Sequence, residues 1–175
     1  MSSPTWTYLN VIHTFHKYCI GVEIGALVGG TNPASAAYPT ANDAIFIPMR
    51  IVQNIWIKRL YTVNGSTASG NIDVGIYTED GARLRSSGST AQSGTSQPQF
   101  FDITDIMLSP GRYYLAVAKN DTTGTLFRTN TSVVHQQKMG LAKMASAMAL
   151  PATATFATVT DAFIPMIGAE IFEIK

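Results

Sequence analysis

Charge is what this chain has least of. Only 13% of its 175 residues are Asp, Glu, Lys or Arg, about half the share carried by a typical soluble domain. The net charge is +1, and the basic residues are scattered. No Lys/Arg cluster offers the electrostatic footprint that nucleic acid demands, so nucleic acid is not an expected partner. A single cysteine, Cys19, excludes an internal disulfide framework. No apolar run approaches the roughly 20 residues needed to cross a bilayer. The start of the chain lacks a basic stretch followed by an apolar one, so no secretory leader is expected. Together these absences predict a protein kept in a reducing cytoplasm, neither exported nor embedded in a membrane.

Apolar residues make up 46% of the chain, enough at this length for a real core. Two readings of so little charge stay open. Either large surfaces are buried against other chains, or the surface is coated with Ser, Thr, Asn and Gln. A monomer with this composition would be unusual, so an assembly is the expectation.

The apolar residues fall in short runs separated by polar turns. In residues 71–77, Ile72, Val74 and Ile76 share one face, and Asn71, Asp73, Gly75 and Tyr77 share the other. This period of two predicts a half-buried strand. Residues 44–51 place Ile45, Ile47 and Met49 together, with Pro48 marking an edge or a bulge. In residues 55–63, Ile57 and Leu60 lie three apart across Lys58 and Arg59, and a bulge there would return both to a core. Glu79-Asp80-Gly81 is a hairpin signal. Residues 86–98 read as a strand edge and exposed loop. Phe101 and Ile103 face inward on the next strand, and Pro110-Gly111 turns the chain. Residues 112–119 can bury either Tyr113, Leu115 and Val117 or Tyr114, Ala116 and Ala118. Further strands are expected at residues 125–129, 153–159 and 166–174.

Strands at this spacing, without long helices, predict an all-β fold: a jelly-roll-like antiparallel β-sandwich. Residues 132–151 are the exception. Leu141, Met144 and Met148 recur at a helical spacing, which suggests a crossover loop with one helical turn lying over the sandwich. Residues 1–43 differ from the rest. They are read as an N-terminal extended arm followed, from Thr31 to Asp43, by a linker or surface loop rich in Ala, Pro, Asn and Ser. The sandwich domain is then residues 44–175. Within the arm, Trp6, Tyr8, Val11 and Phe15 are the candidate contacts for a partner or sister subunit, because they interleave large apolar groups with polar ones.

Chemistry is harder to find. His13, His16 and Cys19 are spaced by threes, which on a strand alternates faces and spoils metal convergence. Asp73, Glu79, Asp102 and Asp105 could be paired on paper as glycosidase-like carboxylates, but strand ends and turns account for them. No G-x-S-x-G elbow, phosphate loop or calcium loop occurs. No catalytic residues, cofactor or metal site are expected, and the chain is not read as an enzyme. Asn64, Asn120 and Asn130 begin glycosylation sequons that reflect only how Asn, Ser and Thr crowd the turns. Trp56 and Tyr61 could form an aromatic platform for sugar, although core or interface packing explains such residues more often.

Residues 63–77 (VNGSTASGNIDVGIY) resemble a sequence type found among structural proteins of tailed phages and prophages. Residues 88–95 (GSTAQSGT), 101–105 (FDITD) and 108–116 (LSPGRYYLA) extend the resemblance over roughly residues 38–130. It implies a jelly-roll capsid decoration (cement) protein, or a tail- or head-fibre module that binds host surface glycan. No heptad, collagen-like or β-helix repeat supplies a fibre shaft, so decoration is favoured. The expected setting is the capsid surface of a virion, after synthesis in the host cytoplasm. The expected partners are sister copies, most simply as a homotrimer, and the major capsid protein.

Overall fold

A computed structural model describes residues 12–13, 19–22, 33–129 and 132–174. In chain order the described elements are β1 (Ile12–His13), β2 (Cys19–Val22), β3 (Ala34–Ala37), β4 (Ala44–Ile51), β5 (Ile55–Val63), β6 (Asn71–Thr78), β7 (Arg83–Ser86), β8 (Thr90–Ala91), β9 (Pro98–Leu108), β10 (Gly111–Lys119), β11 (Thr125–Thr129), helix α1 (Val133–Lys138), β12 (Ala142–Met144), β13 (Ala157–Thr158), β14 (Ile164–Pro165) and β15 (Ile167–Ile174). All the strand pairings are antiparallel.

Two sheets face each other. One runs β1-β2-β15-β5-β9 and the other β13-β12-β4-β10-β6-β7, with β8 also on β6. The eight principal strands are β2, β4, β5, β6, β7, β9, β10 and β15. Numbered along the chain, they lie first-eighth-third-sixth in one sheet and second-seventh-fourth-fifth in the other. That is jelly-roll connectivity, so the expected all-β sandwich is the observed one. A small third sheet, β14-β11-β3, adds to the same core.

The core follows from alternation. Ile45, Ile47, Met49 and Ile51 of β4 meet Ile72, Val74 and Ile76 of β6 and Leu115 and Val117 of β10. Opposite them sit Ile57, Leu60, Phe101, Ile167, Ala169 and Ile171. The bulge anticipated in β5 is present. Register with β9 shifts between Ile57 and Arg59, and both Ile57 and Leu60 are fully buried. Without the extra residue, one of them would point to the outer face. Pro48 lies beyond the reach of β12, which pairs with β4 only from Ala44 to Phe46. It therefore needs no donor on that side.

Three expectations are corrected. β6 is not half-buried: Asp73 and Tyr77 are as inaccessible as Val74. The cause is a strap, residues 145–156, that follows β12 and lies over the outer face of the β4-β10-β6 sheet. Phe46, Tyr77, Ala116 and Ala118 pack there against Ala142, Ala147, Leu150 and Ala154. Both candidate faces of β10 are thus used, one toward the sandwich and one toward the strap. Strap and sheet nearly touch at Gly75, where an added Cβ would come within 2.9 Å of both the Arg85 carbonyl and Leu150 Cδ1.

Second, the helix is displaced from the predicted spacing. Val133–Lys138 is helical, capped by Ser132, whose Oγ accepts from the His135 N–H at 3.2 Å. Gly140, at φ +83°, ends this segment. The chain beyond it pairs with the open edge of β4, so Leu141 joins the inner core while Met144 and Met148 pack with the strap, and their spacing does not come from a helix. Third, the stretch from Thr31 to Asp43 is more than a linker. Within its described part, β3 pairs with β11, and Tyr38 is buried with its hydroxyl directed at the carbonyl oxygens of Asp43 and Val117 (3.0 and 2.8 Å).

The bulge supplies a sharp test. Deleting Lys58 should abolish the cooperative unfolding transition by inverting the facing of half of β5, whereas Lys58→Ala should change stability by no more than about 0.5 kcal/mol. Chemical denaturation followed by tryptophan fluorescence distinguishes the two.

Candidate interaction surface

Three polar arrangements stand out, and each begins from a residue that the strand pattern carries to an unusual place. The first lies at one end of the sandwich. Lys119 closes β10 and is fully buried. Its ammonium donates to Gln92 Oε1 at 2.5 Å and to the Ser69 carbonyl at 2.9 Å, and stands 3.6 Å from Asp121 Oδ1. Gln92 in turn donates to Asn64 Oδ1 (3.1 Å) and the Thr125 carbonyl (2.8 Å). Asn64 donates to the Ser93 carbonyl and to Gln99 Oε1. A side chain on Gly124 would collide with Gln92 Oε1, Lys119 Nζ and the Ser69 carbonyl. Burial lowers the basicity of Lys119, against the opposing pull of Asp121. Two hydrogen bonds and an ion pair hold the ammonium, so the network ties three loops together.

The second arrangement fastens the strap. Asp73 Oδ1 accepts from the Ser86 and Ser87 hydroxyls (2.7 and 3.2 Å), and its Oδ2 accepts from the Leu150 N–H at 3.0 Å. The Tyr77 hydroxyl donates to the Pro151 carbonyl at 2.6 Å. Arg83 donates to the Leu150 carbonyl through its guanidinium and to the Ala152 carbonyl through its backbone.

The third is the outer face of the β1-β2-β15-β5-β9 sheet. Trp56, Arg59 and Tyr61 of β5 stand opposite Met107, Asp102 and Phe100 of β9, and Glu170 of β15 stands opposite Arg59 on the other side. Arg59 Nε donates to Glu170 Oε2 at 2.5 Å, while the guanidinium lies 4.7 Å over the Phe100 ring. Phe100 and Met107 remain 46% and 44% exposed. Two large apolar side chains this open on one strand are a surface signal, beside the isolated Val52 and Val134.

The sequence candidates divide accordingly. Trp6, Tyr8, Val11 and Phe15 lie outside the described residues, as does His16. His13 and Cys19 fall on β1 and β2. Among the described residues no group of three or more metal-binding side chains comes together, and no helix is long and apolar enough to cross a membrane. The candidate carboxylates are dispersed: Asp73 under the strap, Glu79 paired with Arg112 at 3.0 Å, Asp102 and Asp105 exposed on β9. Asn64 is a buried structural amide and no sugar acceptor. Tyr61 is 7% exposed with its ring centroid 5.7 Å from that of Phe100, so it presents no open face for stacking a sugar. Phe100 and Met107, which the sequence reading passed over, are the exposed members of this face; their position opposite Tyr61 and Trp56 was the available signal. Searches of family models, of curated proteins and of solved structures returned no match.

Two carboxylates should shape the response to acid. Burial alone would raise Asp121, but the Ser69 hydroxyl, the Gly124 N–H and Lys119 together hold it below its usual 3.8. The hydrogen bond from Arg59, helped by its charge, holds Glu170 below 4.5 despite partial burial. In this range the unfolded chain binds more protons, so their stabilisation is complete above 4.5 and is lost as pH falls through and below 3.8. Thermal midpoints measured across that window should fall, and the double variant Asp121→Asn, Glu170→Gln should flatten the decline.

Proposed function

We propose that the chain is a structural protein of a virion, a capsid decoration (cement) protein that works as a homo-oligomer, most simply a trimer, and clamps the major capsid shell. The observation that carries this reading is the pairing of a rigid jelly roll with one sheet face sealed by its own strap and the other showing Phe100 and Met107 to solvent. A protein with 13% charged residues and an apolar outer face is suited to being one tile among many. The resemblance of residues 63–77, 88–95, 101–105 and 108–116 to phage structural proteins supports it, since these stretches form or adjoin β5, β6, β8, β9 and β10 of the sandwich.

The holding element in this proposal is the aromatic segment ahead of β2, with Trp6, Tyr8, Val11 and Phe15 as the contacts. Burying apolar area contributes about 25 cal/mol per Å², and aromatic side chains bring the most area per residue. A chain lacking residues 1–18 should therefore lose its place on shells to which the full chain binds, as read by co-sedimentation. Retention at full occupancy would remove the segment from the mechanism. Counting copies on the intact particle separates decoration from a glycan-binding tail or fibre module: hundreds fit the first, a handful the second.

A further inference from the structure

We infer that the strap, residues 145–156, is a lid. It opens as one unit while the sandwich stays folded, and in opening it uncovers a concealed apolar face of the β4-β10-β6 sheet. The inference goes beyond the virion reading and holds whether or not the chain sits on a shell.

Three observations carry it. The first is that the buried apolar residues fall into two separate clusters. Ala147, Leu150 and Ala154 of the strap belong to the outer one, with Met148 and Phe156 packed against it. Among the described residues, none of the strap joins the inner cluster, which holds the two sheets together. Lifting the strap therefore leaves the inner core whole. The apolar side chains it uncovers from its own middle are small, apart from Leu150. A segment held by few apolar contacts opens at a lower free energy than the core it rests on.

The second is the way the strap is hung. Leu141 before it and Val159 after it are both buried in the inner cluster. Between these anchors β12 pairs with β13, Ala142 opposite Thr158 and Lys143 opposite Ala157. The Lys143 ammonium also stands 3.6 Å from carboxylate oxygens of both Asp43 and Asp161. The two ends of the strap are thus fixed side by side on the sandwich. Phe156, which packs on Phe46 and Tyr114 with ring centroids 5.1 and 4.6 Å away, sits at one of those ends and not in the middle. Opening breaks no rung between β4, β10 and β6, because those strands pair with one another and not with the strap.

The third is where its fasteners come from. The Ala147 N–H donates to the Asn42 carbonyl at 2.6 Å, but most of the others lie on the single hairpin formed by β6 and β7. Asp73 accepts from the Leu150 N–H, Tyr77 donates to the Pro151 carbonyl, and Arg83 holds the Leu150 and Ala152 carbonyls. The Ala154 N–H donates to the Gly81 carbonyl at 2.8 Å. Bonds gathered on one element are made and lost together, which makes the opening all-or-none across the strap. What it conceals is apolar and aromatic: Phe46, Tyr77, Ala116 and Ala118 are each 0% exposed beneath it.

Native-state hydrogen exchange of the full chain, at rising denaturant below the unfolding transition, tests the inference. The amides of Ala147, Leu150 and Ala154 are all hydrogen-bonded in the closed strap. They should nonetheless exchange about 100-fold or more faster than the amides of β10, once corrected for intrinsic rates. Their exchange should depend little on denaturant, because a local opening exposes little surface. Tyr77→Phe, which removes one fastener, should speed the strap amides by about 5-fold. A second variant replaces residues 145–155 by Asn-Gly, a two-residue turn that carries β12 into β13 as a hairpin from Met144 to Phe156. It should keep a cooperative unfolding transition and bind 8-anilinonaphthalene-1-sulfonate well above the level of the native chain. Strap amides that exchange only at the rate and denaturant slope of β10 would overturn the lid. So would a strapless chain without a cooperative transition, since the strap would then be part of what holds the sandwich together.

Discussion

A sheet with apolar side chains on both sides must be covered on both sides, and the rest of this molecule depends on how that is done. The β4-β10-β6 sheet turns Ile45, Ile47, Val74, Ile76, Leu115 and Val117 one way and Phe46, Tyr77, Ala116 and Ala118 the other. The first set is covered by the opposing sheet. The second is covered by the strap, which packs on it through Ala147, Leu150 and Ala154 and is fixed in place by Asp73. That carboxylate is buried, and burying a charge is costly unless it is fully hydrogen-bonded. Two serine hydroxyls and the Leu150 N–H meet that requirement, so the strap is placed where the carboxylate is satisfied.

The same logic governs the loop end. Lys119 would be a heavy liability if unpaired, and the surrounding loops are arranged so that it is not. Ser69, Gln92 and Asp121 come from three separate turns, and Gln92 passes the order on to Asn64. A polar network in which each member has its partner rigidifies what it touches. In a sandwich whose turns are rich in small hydroxyl residues, this gives the loops fixed positions without disulfides, which one cysteine could not supply.

The remaining outer face has no such device of its own among the described residues. It carries a neutralised ion pair, a guanidinium over an aromatic ring, and two open apolar side chains. Nothing on it resembles a constellation for bond-making.

Much of the fold was legible in the residues alone, because the information is local. Period-two alternation reports which side chains share a face, Gly81 and Pro110-Gly111 report where the chain reverses, and the broken phase at Lys58 reports a bulge. None of this needs a distant partner. A crossover over the sandwich with one helical turn was legible in residues 132–151 and is observed; which side chains it covers was not. Ala116, Ala118 and Gly75 are small and neutral, so they give no sign of being packed under anything, and Asp73 looks like an ordinary solvent-facing residue. Its partner Leu150 is 77 residues away. The near-helical spacing of Leu141, Met144 and Met148 pointed to the wrong local structure, since Leu141 is buried in the inner core and Met144 and Met148 pack with the strap. The sequence by itself determined the strands, the turns and the inner core; only the tertiary structure decided which outer face the strap seals, because that depends on where a remote segment can pack on Phe46, Tyr77, Ala116 and Ala118 and satisfy Asp73.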